Sequence, residues 1–478
     1  MSTLVESFSG IRGIWGDSLT DDVCRRYGFA YGQWLRTHHT SPVVVIGADT
    51  RPSRPYVKRA LETGLAAAGI TEIIDVGILS TPAVENAVRA FAAAGGIIIT
   101  ASHNPVEHNG MKFLQVSGAV LTAADAATII AASKQPVPPG PRGRTVGLSD
   151  KRGEAISAYL AHLEESTGLT RDEVEAFHGR VLFDPNGGAG SETAISFAKY
   201  WTLPADFYHE LPGDFWRAIE PKAESLAPLA QKLADEGLAF ACSFDCDADR
   251  MEIVLSPSSA FARQQGTPVV SGQYILGLVT RAILETRSDA RSLPIITNDA
   301  TSQLIAAVAS RFNTPVVEVE VGETNVVTQM LEQGSVIGGE GSSGGSIVAP
   351  GQCRDGLQAL AVILKYLAKT GQSLDDALME LPSYTTLATK VQCDGEKQLV
   401  VRQGLIATYQ QMGARVVTTG GDDGGVKAWV TDEAWAWFRA SKTEPGIFRC
   451  IVDAKDRQIA TDLLEKAKVV FDEVAAKS

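Results

Sequence analysis

The sequence lacks several features that would each point to a particular class of protein. No apolar run approaches the ~20 residues needed to span a bilayer, and the N-terminus shows no basic region followed by an apolar core, so no secretion signal is expected. The six cysteines are scattered and form no CxxC pair, so the simplest interpretation is a reduced, cytoplasmic protein with no membrane partner.

Positive charge is in deficit along the chain, which carries 43 Lys and Arg against 56 Asp and Glu, a formal net charge of −13. A nucleic-acid or anionic-membrane partner is therefore not expected. A protein this acidic must concentrate its cations locally in order to bind a phosphorylated ligand. Arginines that lie beside candidate motifs are for that reason informative.

Three segments repeat one plan: an apolar strand, then a loop rich in Asp, Asn, Ser or Gly, then a helix. They cover residues 43–68, 181–200 and 294–312. Strands that alternate with helices predict α/β domains with largely parallel sheets, in which function gathers in loops beyond the carboxyl ends of the strands. After residue 378 the pattern changes to short strands and a helix from 455 to about 475. Apolar Ile459, Leu463, Ala467 and Val470 lie at helical spacing and are expected on its buried face, and the whole pattern predicts a smaller α+β domain.

Stretches rich in proline or glycine suggest where the domains are joined. They lie at residues 136–143 and 257–266, with a third near Leu381-Pro382. The prediction is four domains: α/β domains at 1–148, 149–257 and 258–378, and an α+β domain at 379–478.

The segment Thr100-Ala-Ser102-His-Asn-Pro105 follows an apolar run, residues 96–99, that is typical of a buried strand. A hydroxyl at the end of such a strand is held rigidly and faces outward, where a covalent nucleophile or a stably phosphorylated serine would sit. The alternative is a Ser/Asn turn that closes the strand. We interpret Ser102 as a catalytic residue because other motifs in the chain would supply its partners.

Asp245, Asp247 and Asp249 stand at alternate positions after the apolar run 239–244. Such a loop aims three hard oxygen ligands at one point, which suits Mg²⁺; an EF-hand is excluded because other residues occupy the positions that need Gly and Glu. Three acids so close repel one another unless a cation is present, although a solvated acidic turn is the alternative. Mg²⁺ keeps open positions for phosphate oxygens, and a phosphorylated Ser102 could fill one.

Two further loops are candidates for binding a sugar phosphate, and we call them the sugar loop, residues 338–345, and the phosphate loop, residues 439–449. Glycines at 338–345 let the backbone approach a ligand closely, and Glu340 and Ser342 could hydrogen-bond sugar hydroxyls; a flexible turn is the alternative. The segment 439–449 is typical of an anion cradle, in which guanidiniums, hydroxyls and turn amides donate to a phosphate dianion; a charged hairpin turn is the alternative. The candidate phosphate ligands are Arg439, Ser441, Thr443 and Arg449.

Four more residues are candidates for neutralising charge or moving a proton near the serine. Lys112 could do either, and Arg12 lies between flexible glycines; a surface lysine and a structural salt bridge are the respective alternatives. His103 is adjacent to Ser102, but adjacent side chains rarely face one another, so an orienting or purely structural role is preferred. Arg250, directly after the acidic loop, completes the set.

In this order and spacing the four motifs resemble the α-D-phosphohexomutase superfamily, which includes phosphoglucomutase, phosphomannomutase and phosphoglucosamine mutase. The resemblance covers essentially the whole chain and implies four domains around a central cleft: three related α/β domains with mixed sheets between helices, plus a smaller C-terminal α+β domain. The run 339–345, followed by Arg354-Asp355-Gly356, most resembles archaeal-type phosphoglucosamine mutases, a branch also associated with glucose and mannose phosphates. Many members carry a histidine shortly after the serine of the sugar loop. Ser343, Gly344 and Gly345 fill that stretch here, which leaves the preferred sugar open.

The resemblance implies an isomerase that moves a phosphoryl group reversibly between the 1- and 6-positions of a hexose or hexosamine phosphate, through phosphoserine at Ser102 and a bisphosphate. Mg²⁺ on the aspartates and the phosphoserine, with a hexose 1,6-bisphosphate as activator, are the implied cofactors. Phosphoglucosamine mutase is the expected activity, with phosphomannomutase or phosphoglucomutase as the alternative. A sugar phosphatase and a non-catalytic sugar-phosphate sensor are alternatives from other classes, and the oligomeric state is left open.

Overall fold

The fold is known from a computed structural model, which describes residues 4–138, 147–341, 345–441 and 446–477. The chain divides into two compact units, Met1–Val270 with Ile347–Asp375, and Ser271–Ser346 with Asp376–Ser478. The division into four domains at residues 148, 257 and 378 stays a prediction. Within the described ranges, every helix is too short or too polar to cross a membrane.

The first unit contains a seven-stranded mixed sheet. Its strands are β1 Val5–Ser7, β2 Gly10–Ile14, β3 Val43–Ala48, β4 Glu72–Ile78, β5 Gly95–Ile99, β6 His108–Leu114 and β7 Gly147–Asp150. They lie in the order β1-β2-β6-β5-β3-β4-β7, with β3, β4, β5 and β7 parallel. The helices of this part are α1 Asp21–His38, α2 Arg54–Ala68, α3 Thr81–Ala90, α4 Ala123–Ser133 and α5 Arg152–Thr167. The continuous apolar runs of the parallel strands suit a sheet that is covered by helices.

A five-stranded sheet follows in the same unit. Its strands are β8 Val181–Asp184, β9 Ala205–Phe207, β10 Phe240–Phe244, β11 Met251–Val254 and β12 Val269–Val270, in the order β12-β11-β10-β8-β9. Its helices are α6 Arg171–Glu175, α7 Gly190–Tyr200, α8 Ala223–Glu236 and α9 Ala260–Gln265. Because β11 runs antiparallel to β10, the acidic segment 245–250 is the turn that joins these two strands.

A four-stranded sheet has the order β14-β13-β15-β16. Its strands are β13 Ile295–Asn298, β14 Val316–Val319, β15 Ile337–Glu340 and β16 Gly345–Val348. The helices of this part of the chain are α10 Gly272–Thr286, α11 Leu304–Ser310, α12 Glu323–Gln333, α13 Gly356–Thr370 and α14 Leu374–Met379. The two neighbours of β13, which are β14 and β15, both run parallel to it. The carboxyl ends of these three strands therefore meet at one edge of the sheet.

The C-terminal sheet is antiparallel and has the order β17-β21-β20-β19-β18. Its strands are β17 Thr385–Gln392, β18 Arg415–Thr418, β19 Val426–Thr431, β20 Ala434–Ala440 and β21 Ile447–Ala454, and its helices are α15 Gln398–Gln411 and α16 Arg457–Lys477. One face packs on the helices through Phe438, Phe448 and Phe471. The other face carries Trp435 and Trp437, which pack with Ala300.

The predicted fold class is confirmed: α/β sheets with helices make up the first three parts of the chain, the first two of these sheets are mixed, and a smaller α+β part ends the chain. One detail of the last helix differs from the sequence pattern. Ile459 is 53% exposed, and the buried ridge of α16 instead runs through Ala460, Leu463, Ala467 and Phe471. Since one residue turns a helix by about 100°, a ridge that begins at Ala460 leaves Ile459 on the flank.

Candidate active site

Ser102 lies in the loop after β5, and its backbone is left-handed, with a φ of +49°. A non-glycine residue in this region stores strain that its surroundings must hold. Two hydrogen bonds do so: the Ser102 N–H donates to Thr100 Oγ1 at 2.8 Å, and Thr100 Oγ1 donates to Asp49 Oδ2 at 2.7 Å. Ser102 is 2% exposed, so its hydroxyl is fixed and shielded from bulk water.

Arg51 organises the rest of this serine loop. Its side chain is fully buried, and its Nε donates to Asp49 Oδ2 at 3.0 Å. Its terminal nitrogens donate to four loop carbonyls, those of Ser102 and Asn104 at 2.7 Å each, His108 at 2.8 Å, and Pro105. One guanidinium can hold so many acceptors because it presents five N–H groups in a rigid plane.

The acidic turn between β10 and β11 lies against the serine. Asp245, Asp247 and Asp249 are completely buried, and one carboxylate oxygen from each lies within 4.8 Å of the others. Ser102 Oγ donates to Asp245 Oδ2 at 3.2 Å. Ala248 within the turn is left-handed, with a φ of +54°, which helps a short turn to bring alternate side chains to one side. The structure therefore joins the serine motif to the acidic motif.

A second arginine, Arg217, supports the strand end that leads into the acidic turn. Arg217 Nε donates to Asp184 Oδ2 at 2.8 Å, and its Nη2 donates to the carbonyl of Phe244, the last residue of β10, at 2.7 Å. The loop after β8 also approaches closely, because a Cβ at Gly188 would lie only 2.9 Å from the Cys246 carbonyl oxygen. The same arrangement therefore occurs in both sheets of the first unit. An aspartate at a strand end accepts a hydrogen bond from an arginine, and the arginine also donates to backbone carbonyls of a neighbouring segment.

Burial and charge shift the pKa values of Asp245 and Asp247 in opposite directions. Burial, together with the negative charges of Asp247 and Asp249, raises the pKa of Asp245 well above its usual range. Burial also opposes ionisation of Asp247, yet Lys112, Thr81 and Arg12 together outweigh it and hold the pKa of Asp247 below its usual value. The Nζ atom of Lys112 lies 2.8 Å from Asp247 Oδ2.

Besides Arg51 and Arg217, four more cations lie beside the aspartates or the serine loop. Besides Lys112, Arg354 Nη2 donates to Asp249 Oδ2 at 2.9 Å. The Nε of Arg250 lies 3.8 Å from both Asp245 Oδ2 and Asp249 Oδ1, and Arg12 Nη1 donates to Asn104 Oδ1 at 3.1 Å. Positive charge is concentrated here in an otherwise acidic chain, as phosphate binding requires.

His103 is held neutral in this setting. Burial first, and then the positive charges of Arg250 and Arg12, lower the pKa of His103 far below its usual value. Its Nδ1 is buried and accepts no hydrogen bond from the described residues. Ser102 Oγ donates to Asp245 rather than to this imidazole, so a Ser-His pair is not formed.

The carboxylate oxygens of Asp245, Asp247 and Asp249 suit a divalent cation. Asp247 Oδ1 and Asp249 Oδ1 are buried oxygens that accept no hydrogen bond from any part of the chain that the structure describes. A buried carboxylate oxygen without a donor is costly, and a hard cation with oxygen ligands would remove that cost. The three aspartates can therefore hold a metal ion, with Ser102 beside them.

Glu340, the predicted sugar ligand, lies at the end of β15 in the second unit and is 4% exposed. Its Oε1 accepts from Asn298 Nδ2 and from the Gly322 N–H, both at 2.8 Å. Asn298 ends β13, the neighbour of β15, and Gly322 follows β14 on the far side of β13. The carboxylate is therefore fixed where the carboxyl ends of three parallel strands meet. Ser342 lies outside the described residues.

Arg439, on β20, is paired in this structure. Its Nη2 donates to Glu320 Oε1 at 2.6 Å, and its Nη1 donates to the Val321 carbonyl at 3.4 Å. Glu320 and Val321 directly precede Gly322, so one short loop after β14 contacts both the sugar-loop glutamate and the phosphate-loop arginine.

The rest of the predicted phosphate loop is only partly described. Arg439 and Arg449 are directly opposed on neighbouring strands, which places their side chains on the same face of the sheet. The Ser441 N–H donates to the Ile447 carbonyl at 2.8 Å, which continues the pairing of these strands beyond Ala440. Thr443 lies outside the described residues.

Sequence reasoning missed the residues that support these loops. Arg51, Thr81 and Glu320 each contact a predicted site residue. Arg217 contacts Phe244, the residue before Asp245, and none of these four residues lies in one of the four motifs. A signal existed for Asp49 and Arg51, since both stand in the polar loop of the first strand-loop-helix repeat. No comparable pattern marks Glu320 or Thr81, because their partners are distant in sequence.

Comparison with known proteins defines the class of this fold and site. Residues 6–137 match the family model of phosphoglucomutase/phosphomannomutase α/β/α domain I, and residues 271–384 match that of domain III. The crystal structure of a putative phosphomannomutase from Thermus thermophilus superposes with a TM-score of 0.79 at 26% identity, covering 99% of this chain and 100% of that one. The fold is that of an α-D-phosphohexomutase.

Curated relatives agree along the whole length. A phosphoglucomutase/phosphomannomutase of Thermococcus kodakarensis is 31% identical over 472 residues, with 97% of both chains covered. A probable phosphoglucosamine mutase of Thermococcus gammatolerans is 29% identical, with 98% of both covered. The chain belongs to the phosphoglucomutase/phosphomannomutase family, whose members are phosphomutases and therefore isomerases.

Proposed function

We propose that this chain is a phosphoglucosamine mutase that uses Ser102 as a phosphoryl carrier. The observation that carries the proposal is the hydrogen bond from Ser102 Oγ to Asp245 Oδ2, 3.2 Å long, inside a buried group of three carboxylates. A serine held in a strained backbone, shielded from water and surrounded by cations suits storage of a phosphoryl group better than hydrolysis.

Residues of the first unit would carry out the phosphoryl transfer. In one direction the bond from Ser102 Oγ to phosphorus breaks, and a bond from a sugar hydroxyl oxygen to phosphorus forms, which gives a bisphosphate; return of the other phosphate to Ser102 completes the shift. Arg12 and Arg250 would stabilise the negative charge of the phosphoryl oxygens. A guanidinium is a poor proton carrier, and burial beside Arg250 and Arg12 makes His103 a very weak base. Lys112 is therefore the proposed group for moving the hydroxyl proton.

Asp245, Asp247 and Asp249 would hold Mg²⁺ together with an oxygen of phosphorylated Ser102, because hard carboxylate ligands with an open position suit that ion. When bound, it would draw electron density from the transferring phosphoryl group. Lys112 and Arg354 would limit the net negative charge of the empty aspartate group, since each contacts one of its carboxylates. A hexose 1,6-bisphosphate would serve as the activator by phosphorylating Ser102.

The second unit would bind the remainder of the substrate. Glu340 would accept hydrogen bonds from sugar hydroxyls, with Ser342 as a further ligand. The phosphate that is not reacting would be held by Arg439, Ser441, Thr443 and Arg449. This second phosphate site distinguishes a mutase from a simple phosphatase, which has no need to hold another phosphate.

The sugar is proposed from relatives and from the sugar loop. Several relatives that match nearly the whole chain are named probable phosphoglucosamine mutases, although the one at 31% identity is named phosphoglucomutase/phosphomannomutase. Glucosamine phosphate is therefore the proposed substrate, and mannose and glucose phosphates are the alternatives.

The test is a coupled assay of the purified full chain with glucosamine, mannose and glucose 6-phosphates, Mg²⁺ and a trace of glucose 1,6-bisphosphate. The expected result is formation of the 1-phosphate, with the highest kcat/KM for glucosamine phosphate. A higher kcat/KM for mannose or glucose phosphate would overturn the choice of sugar. Release of free phosphate without an isomeric product would overturn the mutase activity itself.

A further inference from the structure

Thr81 is the first residue of α3, after β4, and it binds Asp247 at two points. The Thr81 N–H donates to the Asp247 carbonyl oxygen at 2.8 Å. The Thr81 Oγ1 donates to Asp247 Oδ2, also at 2.8 Å. Thr81 is completely buried, so both bonds form away from bulk water, where a hydrogen bond to a carboxylate is strong.

These bonds make the two oxygens of Asp247 different. Oδ2 accepts from Thr81 Oγ1 and from Lys112 Nζ, each at 2.8 Å. Oδ1 is buried and accepts no hydrogen bond from any described residue. Rotation of the carboxylate about its Cβ–Cγ bond would exchange the two oxygens, and it would break the bonds to Thr81 and Lys112.

We infer that Thr81 is a positioning residue that fixes Asp247 with Oδ1 turned toward the divalent cation. The inference rests on the proposed metal site and adds to it a residue outside the acidic turn. The partners that orient metal ligands commonly change metal affinity by about 10- to 100-fold when they are removed. A hydroxyl that holds the second oxygen of a ligating carboxylate is such a partner.

Thr81 differs from Lys112 in what it can do. Lys112 brings a positive charge, which itself opposes binding of a cation, and it also reaches Asp249 Oδ2 at 3.5 Å. Thr81 is neutral, and its hydroxyl hydrogen bond goes to Asp247 alone among the described residues. Removal of the Thr81 hydroxyl therefore tests orientation without removing a charged side chain from the site.

The experiment measures binding of Mn²⁺, as a spectroscopic substitute for Mg²⁺, to the full chain by electron paramagnetic resonance of the free ion. The variants are Thr81→Val, which keeps the shape and the backbone N–H, and the pair Thr81→Ser and Thr81→Ala, which differ only by the hydroxyl. Thr193→Val is the control, because Thr193 is also completely buried in the first unit and donates only to the Gly190 carbonyl at 3.1 Å.

The dissociation constant for Mn²⁺ is expected to rise about 10-fold or more in Thr81→Val. It should rise similarly in Thr81→Ala and stay within about twofold of wild type in Thr81→Ser and Thr193→Val. The Ser and Ala pair keeps the test valid if Thr81→Val does not fold. At saturating Mg²⁺ the kcat of Thr81→Val should approach that of wild type, since only occupancy of the site is affected.

Three results would overturn the inference. Wild-type Mn²⁺ affinity in Thr81→Val and Thr81→Ala would remove the role of Thr81 and leave the metal site intact. A low kcat that persists at saturating Mg²⁺ would show that Thr81 acts on something other than metal binding. Failure of the wild-type chain to bind Mn²⁺ would overturn the metal site and Thr81 together, whereas absence of mutase activity with normal Mn²⁺ binding would count against the proposed function alone.

Discussion

Ser102 Oγ donates a hydrogen bond to Asp245 Oδ2 at 3.2 Å, between residues that are 143 positions apart in the sequence. The serine lies at the carboxyl end of β5 in one sheet, and the aspartate lies at the carboxyl end of β10 in another. The contact brings the proposed phosphoryl carrier within hydrogen-bonding distance of a proposed metal ligand.

Replacement of Ser102 tests whether it carries the phosphoryl group. Ser102→Ala is expected to lower mutase kcat by about 1,000-fold or more, because loss of a covalent nucleophile is rarely compensated. Incubation with ³²P-labelled glucose 1,6-bisphosphate should label wild type but not the variant. Ser157→Ala, an exposed serine on α5, is the control. Retention of label or of near-wild-type turnover in Ser102→Ala would remove Ser102 from the reaction.

Arg51 is expected to hold the serine loop in its reactive conformation. Arg51→Lys keeps the charge beside Asp49 but cannot bond four carbonyls, so at least two of the bonds, each worth about 1 kcal/mol, are lost. We expect kcat to fall about 10- to 100-fold, and amide hydrogen exchange in residues 100–108 to accelerate. Arg59→Lys, at an arginine that is 71% exposed, should change neither. Slow exchange of the loop amides in Arg51→Lys would argue against this role.

Glu320 is expected to compete with the substrate phosphate for Arg439. Glu320→Gln removes the negative charge that now lies 2.6 Å from the guanidinium, and a change of about 1 kcal/mol corresponds to about fivefold in affinity. The KM for sugar phosphate should therefore fall several-fold, with little change in kcat. Glu332→Gln, an exposed position on α12, is the matched control. A raised KM in Glu320→Gln would instead mean that Glu320 braces Arg439 for binding.

Asp453 should make stability depend on pH. Burial raises the pKa of Asp453 to about 6, despite hydrogen bonds from the Gln303 N–H and Thr386 Oγ1. The folded state then binds more protons than the unfolded state between about pH 4 and pH 6. The stability that this group contributes is thus complete at low pH and falls, by up to about 3 kcal/mol, as pH rises through 6.

Asp453→Asn removes this titration, so the variant should gain stability relative to wild type as pH rises from 4.5 to 7. The measurement is urea denaturation followed by tryptophan fluorescence at both pH values. Any constant cost of placing an amide there cancels in the comparison. Asp432→Asn, at an exposed position between β19 and β20, is the control. A stability difference that is independent of pH would contradict the prediction.

The strands and the residues that carry chemistry were visible in the sequence because they are local features. The run that forms β5 and the serine loop behind it are contiguous, as are β10 and the three aspartates. Alternation of strands and helices likewise predicted the α/β domains, and the change of pattern after residue 378 predicted the smaller α+β part. Ile459 shows where such reasoning fails, since the choice of the buried ridge on α16 depends on the sheet against which it packs.

The sequence by itself determined the fold class. It also marked Ser102 as the candidate for phosphoryl transfer and Asp245, Asp247 and Asp249 as the candidates for metal binding. Both were possible because strand periodicity and motif spacing are local properties of the chain. Only the tertiary structure decided that Arg51 holds the serine loop, that Thr81 holds Asp247 and that Glu320 occupies Arg439. Those contacts join segments separated by 51, 166 and 119 residues. Such pairs depend on how strands are ordered in the sheets, and no short-range pattern of residues encodes that order.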